Sequence, residues 1–137
     1  MIARADVYAW MDQRYPCAWP EEARRAWFGW YWTDARCWVA RGAGKILGVT
    51  LARAVDDLGR AAAEQAYHDE AGRIAFADVS VNEGGARSWA AMIHALRVRF
   101  PQCDRIAFAR LGRGERVRVY PIHEFLTRLE KTYGQEH

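Results

Sequence analysis

Residues 73–111 read RIAFADVSVNEGGARSWAAMIHALRVRFPQCDRIAFARL, and this stretch decides the fold. Its first nine residues, 73–81, are typical of a strand, and residues 82–85 form a glycine-rich turn. The helix expected after the turn carries an apolar stripe at helical spacing: Trp89, Met92, Ile93, Leu96 and Phe100. A second strand is predicted over residues 105–111. A strand, a helix and a strand in this order predict a parallel crossover.

Two helices are predicted upstream of this unit. Val7, Trp10 and Met11 fall at helical spacing, and Pro16 ends that segment. Pro20 opens the second helix, because proline fits the first helical turn and two glutamates follow it. The predicted core stripe of the second helix is Ala23, Ala26, Trp27 and Trp30.

The remaining segments predict a hairpin, a loop, a strand and a last helix. Residues 37–54 contain two strand-like runs around a glycine turn at 41–44, which predicts a hairpin. Residues 56–70 are polar and alanine-rich, and we expect a loop with a short helix there. A strand is predicted over 116–120, after a turn at Gly112, Arg113 and Gly114. The apolar stripe of the last helix is Ile122, Phe125, Leu126, Leu129 and Tyr133.

The predicted order is therefore α-α-β-β-β-α-β-β-α, with a mixed sheet flanked by helices. This is an α/β (α+β) fold, and the length of 137 residues predicts a single domain over 1–137. A content of 51% hydrophobic residues excludes a disordered chain, and charges break every long apolar run, which excludes a transmembrane helix.

Cellular location is predicted from the cysteines and the N-terminus. Cys17, Cys37 and Cys103 are odd in number and widely spaced, so reduced thiols are expected rather than a disulfide framework. The first ten residues contain no apolar segment of the signal-peptide type. We therefore expect a cytoplasmic protein. No spacing of potential ligands predicts a metal site.

With that order, the chain resembles the GNAT acyltransferase superfamily. Three stretches carry the resemblance: Trp38–Val49 with its "WVA" and "GKILGV" runs, the strand Asp78–Val81, and the turn Gly84–Ala86 that opens a helix. Two positions depart from the superfamily pattern. Val81 stands where an arginine or glutamine is usual before the glycine turn, and no tyrosine follows the strand at 105–111 until Tyr120.

A subgroup is also suggested by the second half of the chain. The runs 78–81, 99–101, 106–108 and 116–120 are similar to the RTX-toxin-activating lysine acyltransferases, whose central strand carries an aspartate as Asp78 does. Their pattern also has a histidine ahead of the hairpin, whereas no histidine occurs here before His68. The compact length resembles GNAT-like proteins of phage or prophage origin.

The resemblance implies acyl transfer from acetyl-CoA, another acyl-CoA or an acyl carrier protein to an amine. The backbone of Val79 and Val81 would hold the phosphopantetheine arm. The diphosphate would lie at the helix start formed by Gly84, Gly85, Ala86, Arg87 and Ser88. Glycine amides, a helix N-terminus and an arginine are groups that bind phosphate. The alternative for this stretch is an ordinary strand-to-helix turn with a solvent-facing arginine.

Two side chains are the catalytic candidates. Strand alternation places Asp78 on one face with Ile74, Phe76 and Ser80, where burial would raise its pKa towards that of a general base. Asp78 could instead pair with an arginine, such as Arg110 or Arg118, and order the sheet. Tyr120 could protonate the departing thiolate, or it could be a partly buried residue at a strand end.

Three other functions remain open from the sequence. Seven arginines between Arg97 and Arg118 stand among only two acids, which could form a nucleic-acid-binding module or receive an acidic carrier protein. A GNAT-like chain could also have lost catalysis and act as a protein-interaction scaffold. A nucleophilic cysteine would need a histidine nearby, and none is near in sequence.

Overall fold

The computed structural model describes residues 2–15, 17–109 and 117–134. For residues 133 and 134 it describes the backbone alone. The helices are α1 (Arg4–Arg14), α2 (Glu21–Thr33), α3 (Leu58–Ala63), α4 (Gly85–Arg99) and α5 (Ile122–Gly134). The strands are β1 (Cys37–Gly42), β2 (Lys45–Val55), β3 (Ile74–Asn82), β4 (Arg105–Ala109) and β5 (Val117–Pro121). The predicted order is confirmed, with α3 as the short helix expected in the 56–70 segment. The predicted turn at 112–114 lies outside the described residues.

The five strands form one mixed sheet in the order β1-β2-β3-β4-β5. β3 and β4 pair in parallel, and the other neighbours pair antiparallel. The predicted parallel crossover is thus confirmed, with α4 as its helix. α4 can cross over the sheet because its buried residues follow helical spacing: Ala86, Ala90, Met92, Ile93 and Leu96.

A β-bulge interrupts the pairing of β2 and β3. Leu51 pairs with Val79, but the next residue of β2, Ala52, pairs with Ala77. Asp78 is therefore an extra residue on β3 without a partner of its own in β2. A bulge of this kind bends the strand and changes which face the following side chains occupy.

The alternation predicted for β3 is wrong after Asp78, because the bulge interrupts it. Ser80 does not share a face with Asp78, because its hydroxyl lies 3.1 Å from Thr50 Oγ1, which donates to Met92 of α4. Asp78 instead faces α2, since its carboxylate accepts a hydrogen bond from Tyr31. Regular alternation would have kept Asp78 and Ser80 together, and the inserted residue moves Ser80 to the α4 face.

The sheet is covered on both faces. α4 and α5 pack on one face against Ala75 and Ala77 of β3, and α1 and α2 pack on the other against Val79 of β3. A third cluster, around Phe76 and Ala61, lies beneath α3. The side chains of β3 thus contribute to all three parts of the core, which makes this strand the centre of the fold.

The predicted stripe of α2 is wrong in part. Ala23 and Ala26 are exposed, whereas Phe28, Gly29 and Tyr31 are the buried residues of this helix. The helix turns this face inward because Phe28 packs in the α1–α2 core and Tyr31 reaches the carboxylate of Asp78. Within the described ranges, none of the helices has the length and apolar content needed to cross a membrane.

Candidate functional site

The central feature of the site is the place where the described residues of β4 stop pairing with β3, and we call this place the gap. β4 pairs with β3 only from Ile74 to Ala77, where Ala77 lies opposite Phe108. β3 continues for five more residues, to Asn82, and over this length the described residues of β4 are not paired with it. Unpaired strand edges expose N–H and C=O groups that can bind an extended chain. Val79 and Val81 lie on this stretch, with side chains directed into the α1–α2 core.

A pocket of about 230 Å³ lies in this gap on the α4–α5 side, and we call it the splay pocket. Arg118 stands on its wall with a set of small and aromatic residues: Ala77, Ser80, Trp89, Phe108, Tyr120 and Phe125. The aromatic rings contact one another, with centroids 5.3 Å apart for Tyr120 and Phe125. The pocket is thus a mostly apolar slot with a cationic residue on its wall.

The N-terminus of α4 lies at the end of β3. Gly84 is the N-cap, and no side chain caps the helix. The first-turn amides of Gly85 and Ala86 lie where a helix supplies no carbonyl acceptor, and the helix dipole adds partial positive charge there. Gly85 has a φ of 77°, a conformation that favours glycine. Arg87 is exposed in the same turn, so the turn offers the donors and the charge that an anion needs.

Position 84 requires glycine mainly because neighbouring side chains leave no space for a Cβ atom. A Cβ at this position would lie 2.1 Å from Ser88 Oγ and 2.9 Å from Leu47 Cβ. Its N–H donates to Asn82 Oδ1 at 3.1 Å, and its carbonyl accepts from the Ser88 hydroxyl. The amide of Gly84 and the hydroxyl of Ser88, both expected to contact a diphosphate, are therefore engaged within the turn. Asn82, which the sequence analysis did not single out, shapes this turn.

Asp78 lies in a buried cluster of charged and polar groups. Arg53 of β2 donates from Nε to Asp78 Oδ2 at 2.8 Å and from Nη2 to Oδ1 at 3.0 Å. Tyr31 Oη donates to Oδ2 at 2.5 Å. The Arg53 side chain is 1% exposed and that of Asp78 is 16% exposed. Asp78 therefore forms an ion pair with an arginine, as one of its two interpretations predicted, but the partner is Arg53 rather than Arg110 or Arg118.

The environment of Asp78 shifts two pKa values. Burial raises the pKa of the Asp78 carboxyl above its ordinary value, and the Arg53 guanidinium and the Tyr31 hydroxyl oppose that rise. Burial and the neighbouring carboxylate also raise the pKa of Tyr31 far above its ordinary value. Tyr31 therefore stays protonated and acts as a hydrogen-bond donor to Asp78.

Comparisons with known proteins bear on this arrangement. No protein-family model matches the chain, and no curated protein matches its sequence. Among solved structures, the chain is similar to the GphF GNAT-like decarboxylase in complex with isobutyryl-CoA. The two share 20% sequence identity with a TM-score of 0.55 over 78% of this chain. The fold is GNAT-like. The chain spans 62% of the length of that neighbour, and at this identity the likeness is one of fold.

The GNAT-like fold places the two catalytic candidates on opposite sides of the sheet. Tyr120, on β5, is half-buried and lines the splay pocket next to Phe108 and Phe125. Asp78 faces α2 from the bulge of β3. A ligand that passes between β3 and β4 would therefore meet Tyr120 on one side and the surroundings of Asp78 on the other.

A larger cavity, of about 780 Å³, lies on the α1 side of the GNAT-like sheet, and we call it the α1 cavity. One wall is the i, i+4 face of α1 and the other is the β1–β2 hairpin, with lining residues that include Asp6, Trp10, Arg14, Arg41, Lys45 and Glu83. Arg14 lies 3.1 Å from Glu83, the residue directly before Gly84. The α1 cavity therefore adjoins the glycine turn from the side opposite the splay pocket.

Two arginines of the cluster form ion pairs, and burial affects two of the cysteines. Arg99 pairs with Glu70 and Arg105 with Asp104, while Arg97 and Arg118 are exposed. Arg110, Arg113 and Arg116 lie outside the described residues. Burial raises the pKa values of the Cys37 and Cys103 thiols to about 12, which disfavours either as a nucleophile. Across the described ranges, no three potential metal ligands are grouped to hold an ion.

Three important residues were missed by sequence reasoning. Arg53 gave a signal, because a charged residue within the apolar run 51–55 needs a buried partner. Tyr31 gave no signal in the sequence, because it lies 47 positions away from Asp78, the residue that it contacts. Trp89 was assigned to the core, and it also lines the splay pocket.

Proposed function

We propose that the protein is an N-acyltransferase that moves an acyl group from acyl-CoA to an amine. The single observation that carries the proposal is the gap between β3 and β4. The uncapped N-terminus of α4 lies at the end of this gap, and the splay pocket lies beside it. The GNAT-like neighbour in complex with isobutyryl-CoA supports a CoA thioester as the donor. The expected cytoplasmic location, a phage or prophage origin and a single domain over 1–137 stay predictions.

The donor would bind along β3. The amides of Gly85 and Ala86 and the charge of Arg87 would hold the diphosphate, since a helix N-terminus stabilises an anion. The backbone of Val79 and Val81, with which no described residue of β4 pairs, would hydrogen-bond the pantetheine arm in the way a neighbouring strand does. This arrangement fixes the thioester near the bulge at Asp78.

Asp78 would act as the general base and Tyr120 as the general acid. Burial raises the pKa of the Asp78 carboxyl, which makes it a better acceptor for a proton from the acceptor's ammonium group, and the neutral amine that results attacks the thioester carbon. Tyr120 lies on the wall of the splay pocket, which the sulfur end of the pantetheine arm would occupy. Its hydroxyl could protonate the departing thiolate there. The α1 cavity gives no electrostatic preference for a cationic acceptor, because its described lining combines Asp6 and Glu83 with Arg14, Arg41 and Lys45.

The test is a thiol-release assay with acetyl-CoA and longer acyl-CoAs in the presence of a panel of amines. We expect amine-dependent release of CoA, and Asp78→Asn should reduce the rate by about 10²- to 10⁴-fold, the usual contribution of a general base. Asp57→Asn is the matched control, because Asp57 caps α3 and asparagine caps a helix equally well. Full activity of folded Asp78→Asn protein would remove Asp78 from the mechanism.

Two other functions remain candidates. Nucleic-acid binding through Arg97, Arg118 and the neighbouring arginines would weaken steeply as the salt concentration rises, whereas saturable CoA binding would persist at physiological salt. A catalytically inactive scaffold would bind CoA or a partner protein without releasing thiol. The thiol-release assay and a salt series therefore separate the three functions.

A further inference from the structure

The α1 cavity has the size and the fixed walls of a ligand site. Its volume of about 780 Å³ lies within the range of about 300–1,000 Å³ that is typical of small-molecule sites. One wall is a ridge of α1, where Asp6, Trp10 and Arg14 follow one another at intervals of four residues. The other wall is the β1–β2 hairpin, whose two-residue turn has the positive φ values that such a turn requires, 52° at Ala43 and 78° at Gly44. Both walls are regular structure, so the cavity is formed without a ligand.

Part of the lining is apolar. Ile2, Trp10, Ile46 and Leu47 are among the residues that line the cavity. Arg14 holds the Trp10 ring in place, because its guanidinium lies 4.1 Å from the centroid of the ring and its Nη1 donates to the Trp10 carbonyl oxygen at 3.0 Å. The cavity thus offers a fixed aromatic ring and aliphatic side chains to the apolar part of a ligand.

Charges of both signs line the cavity, on different walls. Asp6 lies on the α1 wall, whereas Arg41 and Lys45 flank the hairpin turn. All three are exposed, and among the residues that the structure describes their side chains form no ion pair or hydrogen bond. Arg14 and Glu83, by contrast, pair with each other at 3.1 Å. One negative and two positive charges of the lining are therefore left for a ligand.

This arrangement favours a ligand that carries both signs of charge. A simple ammonium ion would face Arg41 and Lys45, and a simple carboxylate would face Asp6, so each would meet like charge on one wall. A zwitterion suits both walls, because its ammonium group can pair with the acid while its carboxylate pairs with the two basic side chains. The apolar lining around Trp10 provides a contact for an apolar side chain of the same ligand.

We propose that the α1 cavity binds an amino acid or a short peptide, with its ammonium group at Asp6, its carboxylate at Arg41 and Lys45, and an apolar side chain against Trp10. This inference goes beyond the proposed function, since neither CoA nor the gap takes part in it. Free amino acids and short peptides with two free termini share this chemistry, and their relative affinities distinguish the two sources.

The test is isothermal titration calorimetry with four probes at about pH 6.5, where α-amino groups are protonated and carboxyl groups are not. L-phenylalanine has both charges, phenylalaninamide lacks the carboxylate, and N-acetylphenylalanine lacks the ammonium group. The dipeptide phenylalanylalanine has both charges, at the two ends of a longer chain. Each probe is titrated into the wild type, Asp6→Asn and Lys45→Met, which each remove one charge and nearly keep the size of the side chain. Asp57→Asn and Lys131→Met are the matched controls, because neither residue lines the α1 cavity.

We expect the better of the two zwitterions to bind the wild type about fivefold more tightly than phenylalaninamide and N-acetylphenylalanine, as for the loss of one exposed charge pair. Asp6→Asn should weaken the probes with an ammonium group by a similar factor and leave N-acetylphenylalanine unchanged. Lys45→Met should weaken the probes with a carboxylate, by less because Arg41 remains, and leave phenylalaninamide unchanged. The two controls should bind every probe as the wild type does. Tighter binding of the dipeptide than of phenylalanine would identify a short peptide as the ligand, and the reverse would identify an amino acid.

Two results would overturn the inference. If neither zwitterion binds, or if a probe with a single charge binds as tightly as the better zwitterion, the cavity does not recognise both charges. If Asp6→Asn and Lys45→Met each weaken all four probes to the same extent, these residues do not contact the charges that we assign to them. Neither result affects the proposed function, which depends on CoA binding and thiol release.

Discussion

Arg53 and Asp78 form a two-point ion pair inside the protein, with Nε and Nη2 of the arginine each contacting a different carboxylate oxygen. The same guanidinium also donates to the backbone carbonyls of Ala61, Glu64 and Tyr67. Arg53 therefore joins the bulge of β3 to α3 and to the loop that follows it. Its position fixes the orientation of the carboxylate that we propose as the general base.

Removal of this guanidinium should destabilise the protein strongly. Arg53→Met leaves a buried carboxylate without its counter-charge and three carbonyls without a donor, so we expect a loss of about 3–5 kcal/mol in the free energy of unfolding. Urea denaturation followed by circular dichroism measures the change. Arg60→Met is the control, because Arg60 forms an exposed pair with Glu64, and it should lose less than about 1 kcal/mol. Equal losses in the two variants would contradict the structural role of Arg53.

The hydrogen bond from Tyr31 should tune the pKa of Asp78. The Tyr31 hydroxyl lowers that pKa by donating to the carboxylate, so Tyr31→Phe should raise it further. If Asp78 is the general base, the acidic limb of the pH–rate profile then moves to higher pH. Initial rates of thiol release across the pH range measure this shift. An unchanged acidic limb in a folded, active Tyr31→Phe variant would count against Asp78 as the base.

Glu70 should stabilise the fold in a pH-dependent way. Hydrogen bonds from Arg99 and His68 lower the pKa of its carboxyl from 4.5 to about 2. Because the pKa is lower in the folded state, the stabilisation is present above about pH 4.5 and is lost as the pH falls towards 2. Glu70→Gln should thus be less stable than the wild type at neutral pH, by a small amount because the carboxylate is exposed, and the difference should vanish near pH 2.

Thermal unfolding of both proteins across this pH range checks the sign of the effect. Glu22→Gln is a suitable control, since Glu22 is exposed on α2. A stability difference for Glu70→Gln that grows as the pH falls would contradict the assignment.

Gly84 should not tolerate a side chain. The Cβ of Gly84→Ala would overlap Ser88 and approach Leu47, so we expect a loss of about 1–3 kcal/mol. At Gly59 of α3 the nearest atom to a new Cβ is Asp57 Oδ1 at 3.5 Å, an ordinary contact. Gly59→Ala should therefore stabilise the protein by about 0.5–1 kcal/mol, as expected for alanine in a helix. Chemical denaturation of both variants distinguishes packing at the turn from a general effect of alanine.

The sequence predicted the order of elements well for a physical reason. Each helix and strand has its own period of apolar residues and its own glycine or proline boundaries, and the unit 73–109 shows both. These are local signals, so they survive without knowledge of the tertiary structure. The uncapped glycine turn before α4 was also predictable, because Gly84 and Gly85 are adjacent in the sequence.

The chemistry around Asp78 was less predictable because it depends on distant contacts. Arg53 is 25 residues away from Asp78 and Tyr31 is 47 residues away. The bulge adds a second difficulty, since one inserted residue moves Ser80 to the other face and no local pattern announces it. The buried face of α2 was also mispredicted, because several aromatic residues of that helix could have formed its core stripe.

The most direct test of the central claim is a calorimetric titration of the protein with CoA at physiological salt. We predict saturable binding by the wild type and at least about tenfold weaker binding by Arg87→Glu, because the change removes a positive charge from the diphosphate site and adds a negative one. An acid in the first turn favours the helix dipole, so this variant should stay folded. Arg97→Glu, with the same change of charge in the last turn of α4, should bind normally. Absence of CoA binding by the wild type, or equal affinity in Arg87→Glu, would contradict the account.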